Sequence, residues 1–507
     1  MYHRLLLCTL LAILLAACAK DNIVLTDVTG TESETITTTD TISVVFSESG
    51  NAVVNGASSS QVVTIAGNGV TIVNKERTAI TYLLSGSTSN GFLKIYSPKK
   101  QQIELHDVSI ANPNGAAINV QGITDSVSKG KAVYLVLCGT NALADGASYS
   151  GTPEGEDEKA ALFSEGQIVV SGTGSLTVTA QGKSGIVSDD YVNITGGTIT
   201  VNSTAGTFVT GSDTTKVAGI KGKDSFIMTD GTLTISCSGT GAKGISGDGT
   251  AVFNGGTVNI NVTGNNFGTT SGGGGWPGGH GGNQGSDNSV AAKGIKFDGD
   301  ITFNGGTVTV KSTKHEAIES KGNLTVNGGH IYAYSAADDA INASGTLTVN
   351  DGYLCAHATS NDGIDANGDL FIKGGVIYAI GSSNPEMALD ANTEGGAKLY
   401  IQGGTLIAIG SLENGASLSQ NCYQASSWSK STWYALSTGG TTYAFKTPSS
   451  GGTKLVVSGA TTPTLLSGVT ASGGSEYFQA TLLVDPSVSG GNSVQLSSYT
   501  SGGGGWH

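Results

Sequence analysis

Acidic side chains recur in this sequence at a fixed interval. Two residues ahead of a repeated isoleucine stand Glu316, Asp339 and Asp362, and one residue after it stand Glu319, Asn342 and Asp365, with Asp390 in the same place after a leucine. Asp338 and Asn361 lie just outside. If the interval is one turn of a stacked backbone, each column becomes a vertical row of oxygen donors about 4.8 Å apart. Carboxylates so placed repel by about 1 kcal/mol per pair in water, and several times more beside a low-dielectric surface. A hard divalent cation taking about six to eight oxygens offsets that repulsion, and Asp, Glu and Asn are its usual donors. Calcium is therefore the expected cofactor, with Glu316, Glu319, Asp338, Asp339, Asn361, Asp362, Asp365 and Asp390 as candidate ligands. The competing reading is a solvated turn whose acids splay apart or are offset by Lys314 and Lys321. Asp365-Ala-Asn367-Gly-Asp369 has the look of an EF-hand opening, but its glycine is misplaced and no helix flanks it.

The same columns are basic in the preceding turns, at Lys221, Lys243, Lys293 and Lys296. A lysine strip beside cation-loaded acids suits an anionic glycan, whose carboxylates bridge to calcium and pair with ammonium groups. A third column carries His330, Tyr332, Tyr334, Tyr353, His357 and Tyr378 where earlier turns carry Thr198, Thr200, Thr232 and Thr234. Aromatic faces aligned on a sheet can stack sugar rings. The expected glycan contacts are thus Lys243, Lys293, Lys296, His330, Tyr332, Tyr334, Tyr353 and Tyr378; the alternative is ordinary half-exposed tyrosines and surface lysines.

The elements that must hold these columns follow from the repeat. Gly306, Gly329, Gly352 and Gly375 recur every 23 residues, in step with Ile295, Ile318, Ile341 and Ile364. Each unit reads apolar-x-apolar, a polar residue, a double glycine, x-apolar-x-apolar, a variable turn and a short Gly/Ala-Ile segment. That is too short for a propeller blade and lacks a helical stripe, which leaves a three-strand coil of a β-solenoid. Alternation assigns pairs such as Val308/Val310, Ile331/Ala333, Leu324/Val326 and Leu347/Val349 to the core, and no coil could bury its own face alone. Asn254, Asn304, Asn327 and Asn350 ahead of the glycines predict an amide ladder. The fold class is all-β: a right-handed, single-stranded parallel β-helix of three sheets with terminal caps. It is expected over residues 46–410, with a Gly-rich excursion at about 264–289 and a β-structured cap and tail over 411–507. Val62-Val-Thr-Ile65, Ile103-Glu-Leu105 and Val133-Tyr-Leu-Val136 are candidate early strands.

Composition agrees. Of 507 residues 78 are glycine and 13% are charged, which describes neither a helical nor a disordered chain. The net charge of −14 argues against nucleic acid and suits cations. The N-terminus runs apolar from Leu5 to Ala17 and reaches Leu15-Ala-Ala-Cys18, the small-residue pattern ahead of a lipidated bacterial cysteine. Residues 1–18 read as a lipoprotein signal and 19–45 as a Thr-rich tether. Lys20-Asp21 points to an outer membrane lipoprotein at the cell surface, touching the membrane only through a lipid on Cys18 and acting as a monomer. Cys138, Cys237, Cys355 and Cys422 have no metal spacing and read as thiols on strands.

Gly139-Thr-Asn-Ala-Leu143-Ala-Asp-Gly146, Ala160-Ala-Leu-Phe163-Ser, Gly172-Thr-Gly-Ser-Leu176-Thr-Val178 and Ala218-Gly-Ile-Lys-Gly-Lys-Asp224, followed by the Gly-Gly-Thr coils, carry a resemblance over about residues 60–410. The chain resembles the secreted carbohydrate-binding β-helix family that is similar in fold to pectate lyases. The resemblance implies a calcium-containing parallel β-helix, with members that bind polygalacturonate and cellulose, and the expected function is non-catalytic binding of such a polysaccharide. Two other classes compete. A polysaccharide hydrolase or lyase would use Asn361-Asp-Gly-Ile-Asp365 with Asp338-Asp339, or calcium with a lysine base drawn from Lys293, Lys296 and Lys321. Against it, the acid pairs run in reversed order and arginine is scarce. A surface adhesin or stalk would make the ladders purely structural.

Overall fold

The computed structural model describes residues 36–75, 78–122, 132–268 and 289–501. The signal segment, Cys18, most of the tether and of the Gly-rich excursion, and the final Gly-Trp tail fall outside the described residues. The chain is all-β, its strands gathered in large sheets of parallel strands, an arrangement compatible with a β-helix or solenoid. The described residues hold a single 3₁₀ turn, Thr393–Gly395, as their helical content. Contacts divide the chain into two units, residues 1–203 with 220–233 and residues 204–219 with 234–507.

In the first unit, strands Asp40–Phe46, Ile80–Thr88, Gln101–Ala111, Val133–Cys138, Ile168–Gly172 and Tyr191–Ile194 pair in parallel succession. A second parallel ladder runs through Asn68–Asn74, Gly91–Tyr96, Ile118–Gln121, Ala160–Ser164 and Ser184–Ser188. The expected early strands are present. Val62-Val-Thr-Ile65, however, lies in an antiparallel hairpin with Asn68–Asn74, and Val62 and Ile65 are exposed. Antiparallel pairing here ends the parallel ladder on a strand that cannot be extended in the same sense.

In the second unit three parallel ladders advance by one 23-residue repeat as far as Ile364, Leu370 and Val376, and by a longer last step of 25 residues to Leu389 and 29 to Leu399 and Thr405. One runs Ile295–Phe297, Ile318–Ser320, Ile341–Ala343, Ile364–Ala366 and Met387–Ala391. The second runs Ile301–Phe303, Leu324–Val326, Leu347–Val349, Leu370–Ile372 and Leu399–Ile401. The third runs Thr307–Ser312, His330–Ser335, Tyr353–Ala358, Val376–Ile380 and Thr405–Ile409. Every inward pair read from the alternation in these ladders is at most 1% exposed. Each isoleucine so enclosed contributes about 1.5–3 kcal/mol, and Phe253 stacks on Phe303 at 4.8 Å.

The turns explain the double glycine. Gly352 has φ +96°, and a Cβ there would come within 2.9 Å of the Gly328 carbonyl carbon one coil earlier. Any other side chain would push the coils apart. The amide ladder forms as expected: Asn304 donates to Asn254 at 2.8 Å, Asn327 to Asn304 at 2.9 Å and Asn350 to Asn327 at 2.8 Å. Cys237, Cys355 and Cys422 are buried free thiols, as expected.

Beyond the coils, residues 433–493 contribute the strands of a six-stranded antiparallel sheet. Its residues Phe445, Phe478 and Leu482 join Tyr378, Ile380, Ile407 and Ile409 in one apolar cluster. Val376-Ile-Tyr-Ala-Ile380 has no polar alternate residue because both of its faces are covered.

Candidate cation and glycan site

The first ladder of the second unit positions the acids. In each short strand the isoleucine or leucine and the second residue after it turn into the core, so the residue between them faces outward. Strand register places Lys296, Glu319, Asn342, Asp365 and Asp390 side by side in consecutive rungs. The second column, Glu316, Asp339 and Asp362, lies two residues before each isoleucine, and all three are buried.

The row divides by charge. At its lysine end the acids are already neutralised. Lys293 sits 3.0 Å from Glu316 and 2.5 Å from Glu319, and Lys321 contacts Glu319 at 2.5 Å. Glu319 is only 1% exposed; burial would raise its pKa, but Lys293 and Lys321 outweigh that and hold it below the usual range. His315 bonds Glu316, and its Nδ1 lies 2.7 Å from Asp338. Burial would lower the imidazole pKa, yet these two carboxylates hold it up at about 9. The ligand atoms of His315, Glu316 and Asp338 converge within 4.8 Å, but this is a self-compensated triad with a nitrogen donor, a poor match to calcium's preference for oxygen. Of the expected metal ligands, Glu316, Glu319 and Asp338 thus also meet the charges of Lys293, Lys321 and His315.

Farther along, no described cation reaches the acids. Burial first, and then Asp365, Asp338 and Asp362, push Asp339 up to about 8. Burial first, and then Asp390 and Glu386, push Asp362 up to about 8. Asp365 stands at about 7 through burial and the Asp390 charge. Their hydrogen bonds leave open valences: Asp365 Oδ2 accepts from Asn342 Nδ2 at 2.7 Å, Asp362 Oδ1 accepts from the Met387 amide, and the other oxygen of each takes no donor among the described residues. Asn361 donates its amide to Asp338 at 2.8 Å, which leaves its own oxygen available. Carboxylate and amide oxygens are the donor types that a hard cation takes. Glu413 continues the row. It lies 23 residues after Asp390, its amide bonds the Leu389 carbonyl, and burial and Asp390 raise its pKa. One more step of the repeat would have found it; His315 had no such signal, because its column holds Asp338 and Asn361 elsewhere.

The three lysines differ. Lys293 is engaged as above, and Lys296 pairs with Asp298. The Lys243 ammonium has no hydrogen-bond or ion-pair partner among the described residues, and the residue is 7% exposed. Burial, then Lys216, Lys293 and Lys296, lower its pKa to about 7.

The aromatic row is not an open platform. Tyr477 stacks on Tyr353 at 4.0 Å and meets His330 edge-on at 4.9 Å, and Phe478 lies over Tyr332 at 6.3 Å. Tyr378 is 1% exposed and donates its hydroxyl to the Lys446 carbonyl at 2.9 Å. The antiparallel sheet encloses Tyr378 and packs against Tyr332, Tyr353 and His330, of which the two tyrosines stay half-buried and His330 exposed. Tyr334 remains half-exposed, edge-on to His357 at 5.2 Å.

None of the curated proteins matches this chain. Among solved structures, a polysaccharide lyase-like protein from C. thermocellum, studied as a gadolinium derivative, aligns with 62% of this chain and 100% of its own at 19% identity and a TM-score of 0.37. The family described as carbohydrate-binding domain-containing protein matches residues 66–340, a span that includes Lys243, Lys293 and Glu319. With more than half of its length so matched, the chain belongs to the carbohydrate-binding domain-containing protein family.

Proposed function

We propose that the protein is a bacterial outer membrane lipoprotein, anchored through Cys18, that binds an acidic extracellular polysaccharide of the polygalacturonate kind without cleaving it. Its coils wind as a right-handed, single-stranded β-helix, and calcium occupies the row formed by Asp339, Asn361, Asp362, Asp365 and Asp390. The observation that carries this reading is a set of buried and half-buried carboxylates, Asp339, Asp362 and Asp365, placed on consecutive rungs with no cation among the described residues in reach, which raises their pKa values to about 7 to 8. Calcium would supply that charge and accept a uronate carboxylate in its remaining coordination sites. Lys243, the unpartnered ammonium of the lysine strip, would pair with a neighbouring uronate of the same chain.

The test is calorimetric titration of hexagalacturonate in calcium and in chelator. Binding in calcium that vanishes in chelator and weakens about ten-fold in Lys243→Ala supports the reading; equal binding in both media, or none in either, refutes it. One observation favours a second reading, a polysaccharide lyase. The Lys293, Lys296 and Lys321 ammonium groups are all held by carboxylates, but Lys243, at about 7, is partly neutral at physiological pH, as a base abstracting a proton beside a carboxylate must be. Ultraviolet-absorbing unsaturated products from polygalacturonate with calcium, absent in Lys243→Ala, would select it.

A further inference from the structure

The first unit carries a groove of about 390 Å³ on the outer face of its second parallel ladder, built from residues the acidic rows do not include. Its floor is Phe92 beside Gly69. The two residues are register partners, and the Phe92 ring occupies the room that a side chain at position 69 would need, since a Cβ there would lie 2.6 Å from the ring. One wall is the segment Ser150–Glu158, folded back over the strands. Asn119 Nδ2 donates to Glu158 Oε1 at 2.9 Å and Gln121 Nε2 to the Asp157 carbonyl at 2.6 Å, which fixes that wall.

The charges inside the groove are set without any metal. Lys94, 8% exposed, lies 2.5 Å from Glu156 and 3.7 Å from Glu158, and Tyr96 donates its hydroxyl to Glu156 at 2.5 Å. One buried ammonium between two carboxylates leaves the end of the groove negative, which repels a uronate. Glu158 takes one donor on each oxygen, from Asn119 and from Thr152 at 3.0 Å, and each oxygen retains a lone pair. On the rim, the Asn90 and Asn114 side-chain amides make no hydrogen bond among the described residues.

We propose that this groove is a second glycan site, for a neutral sugar residue, independent of calcium. A half-buried aromatic ring offers an apolar face to a pyranose. Carboxylate lone pairs accept its hydroxyl protons, and free amides both donate and accept. The volume lies near the lower end of the range for small-molecule sites, roughly 300–1,000 Å³, so one or two rings fit and a long polymer does not. The idea rests on the carbohydrate-binding reading above but not on the acidic row.

The test uses the whole protein in chelator with three neutral probes, xylobiose, cellobiose and mannobiose, by calorimetric titration. Binding of at least one is expected, weakened about ten-fold or more by Phe92→Ala and by Ser150→Trp. Ser150 is exposed on the rim, so its indole would fill the groove without touching the core, and this variant should melt as the parent does even if Phe92→Ala does not. Hexagalacturonate binding in calcium is expected to be unchanged in both. No binding of any neutral probe, or binding that neither variant weakens, overturns the proposal. Neutral binding that both variants abolish, in a protein that ignores hexagalacturonate, would sustain this site while removing the acidic-glycan reading.

Discussion

Replacing Asp365 by asparagine should change the sign of its effect on stability when calcium is removed. Asp365 is half-buried, one rung from Asp390, and its carboxyl stands at about 7 through burial and that neighbour. A carboxyl whose folded pKa is raised binds its proton more tightly in the folded state. The stability it contributes is complete below the unfolded value, about 4, and is lost as pH rises through about 7. At about pH 8.5 without calcium the group is ionised at a cost of up to about 4 kcal/mol, from roughly 1.4 kcal/mol per tenfold change. Asp339, Asp362 and Asp390 share that repulsion, so removing one charge should return about half, on the order of 2 kcal/mol. Asparagine is isosteric, and its oxygen can still accept from Asn342 Nδ2, now 2.7 Å from Asp365 Oδ2. In saturating calcium the same change removes a charged ligand. A ten- to hundred-fold weaker metal would lower stability by about 1.4–2.7 kcal/mol. Thermal melting in chelator and in millimolar calcium should therefore move the variant a few degrees above the parent in the first and below it in the second. Shifts of one sign in both media would refute the idea that this row holds an ion.

The parent itself should melt at progressively lower temperature in chelator as pH rises from about 5 to 9, because Asp339, Asp362 and Asp365 ionise there and His315, held at about 9, loses its proton; a flat or rising profile would contradict those charges. Calcium should flatten the fall. Glu319→Gln, which strips a buried carboxylate from Lys293 and Lys321, should cost about 3–5 kcal/mol alike with and without calcium. An effect confined to calcium would return Glu319 to the metal ligands. Tyr378→Phe should cost about 1 kcal/mol through the lost bond to the Lys446 carbonyl and leave hexagalacturonate affinity untouched; a weakened affinity would restore that tyrosine to the glycan face.

The coils were legible because their evidence is local and periodic. Ile318, Ile341 and Ile364 recur at one interval, a strand alternates its faces, and the glycine two residues after each ladder asparagine has a positive φ that few other residues tolerate. From those three facts the columns of acids follow, and the pairing of Glu319 with Asn342 and of Asn342 with Asp365 bears them out. What the columns do was harder to read, because charge compensation is decided by reach. Lys293, one rung before, and Lys321, on the same coil, reach Glu319, whereas Asp365, two rungs on in the same column, has no lysine in range among the described residues. A column of like letters thus conceals two electrostatic regimes.

The aromatic row shows the same limit from the opposite side. Outward from a coil is not always toward solvent: Tyr353 and Tyr378 meet Tyr477 and Phe445, about 120 and about seventy residues later in the chain. One signal was present: Cys355, Tyr378, Ile380, Ile407 and Ile409 are outward positions, and they turn apolar together in the last coils, where the earlier coils carry threonine. An apolar outer face on a strand whose inner face is already apolar requires a second covering layer. Read that way, the change from threonine to tyrosine and isoleucine marks where the antiparallel sheet must dock. Open surface for glycan is then to be sought along the acid row and its lysine neighbours, where polar side chains persist after the coil has met its packing needs.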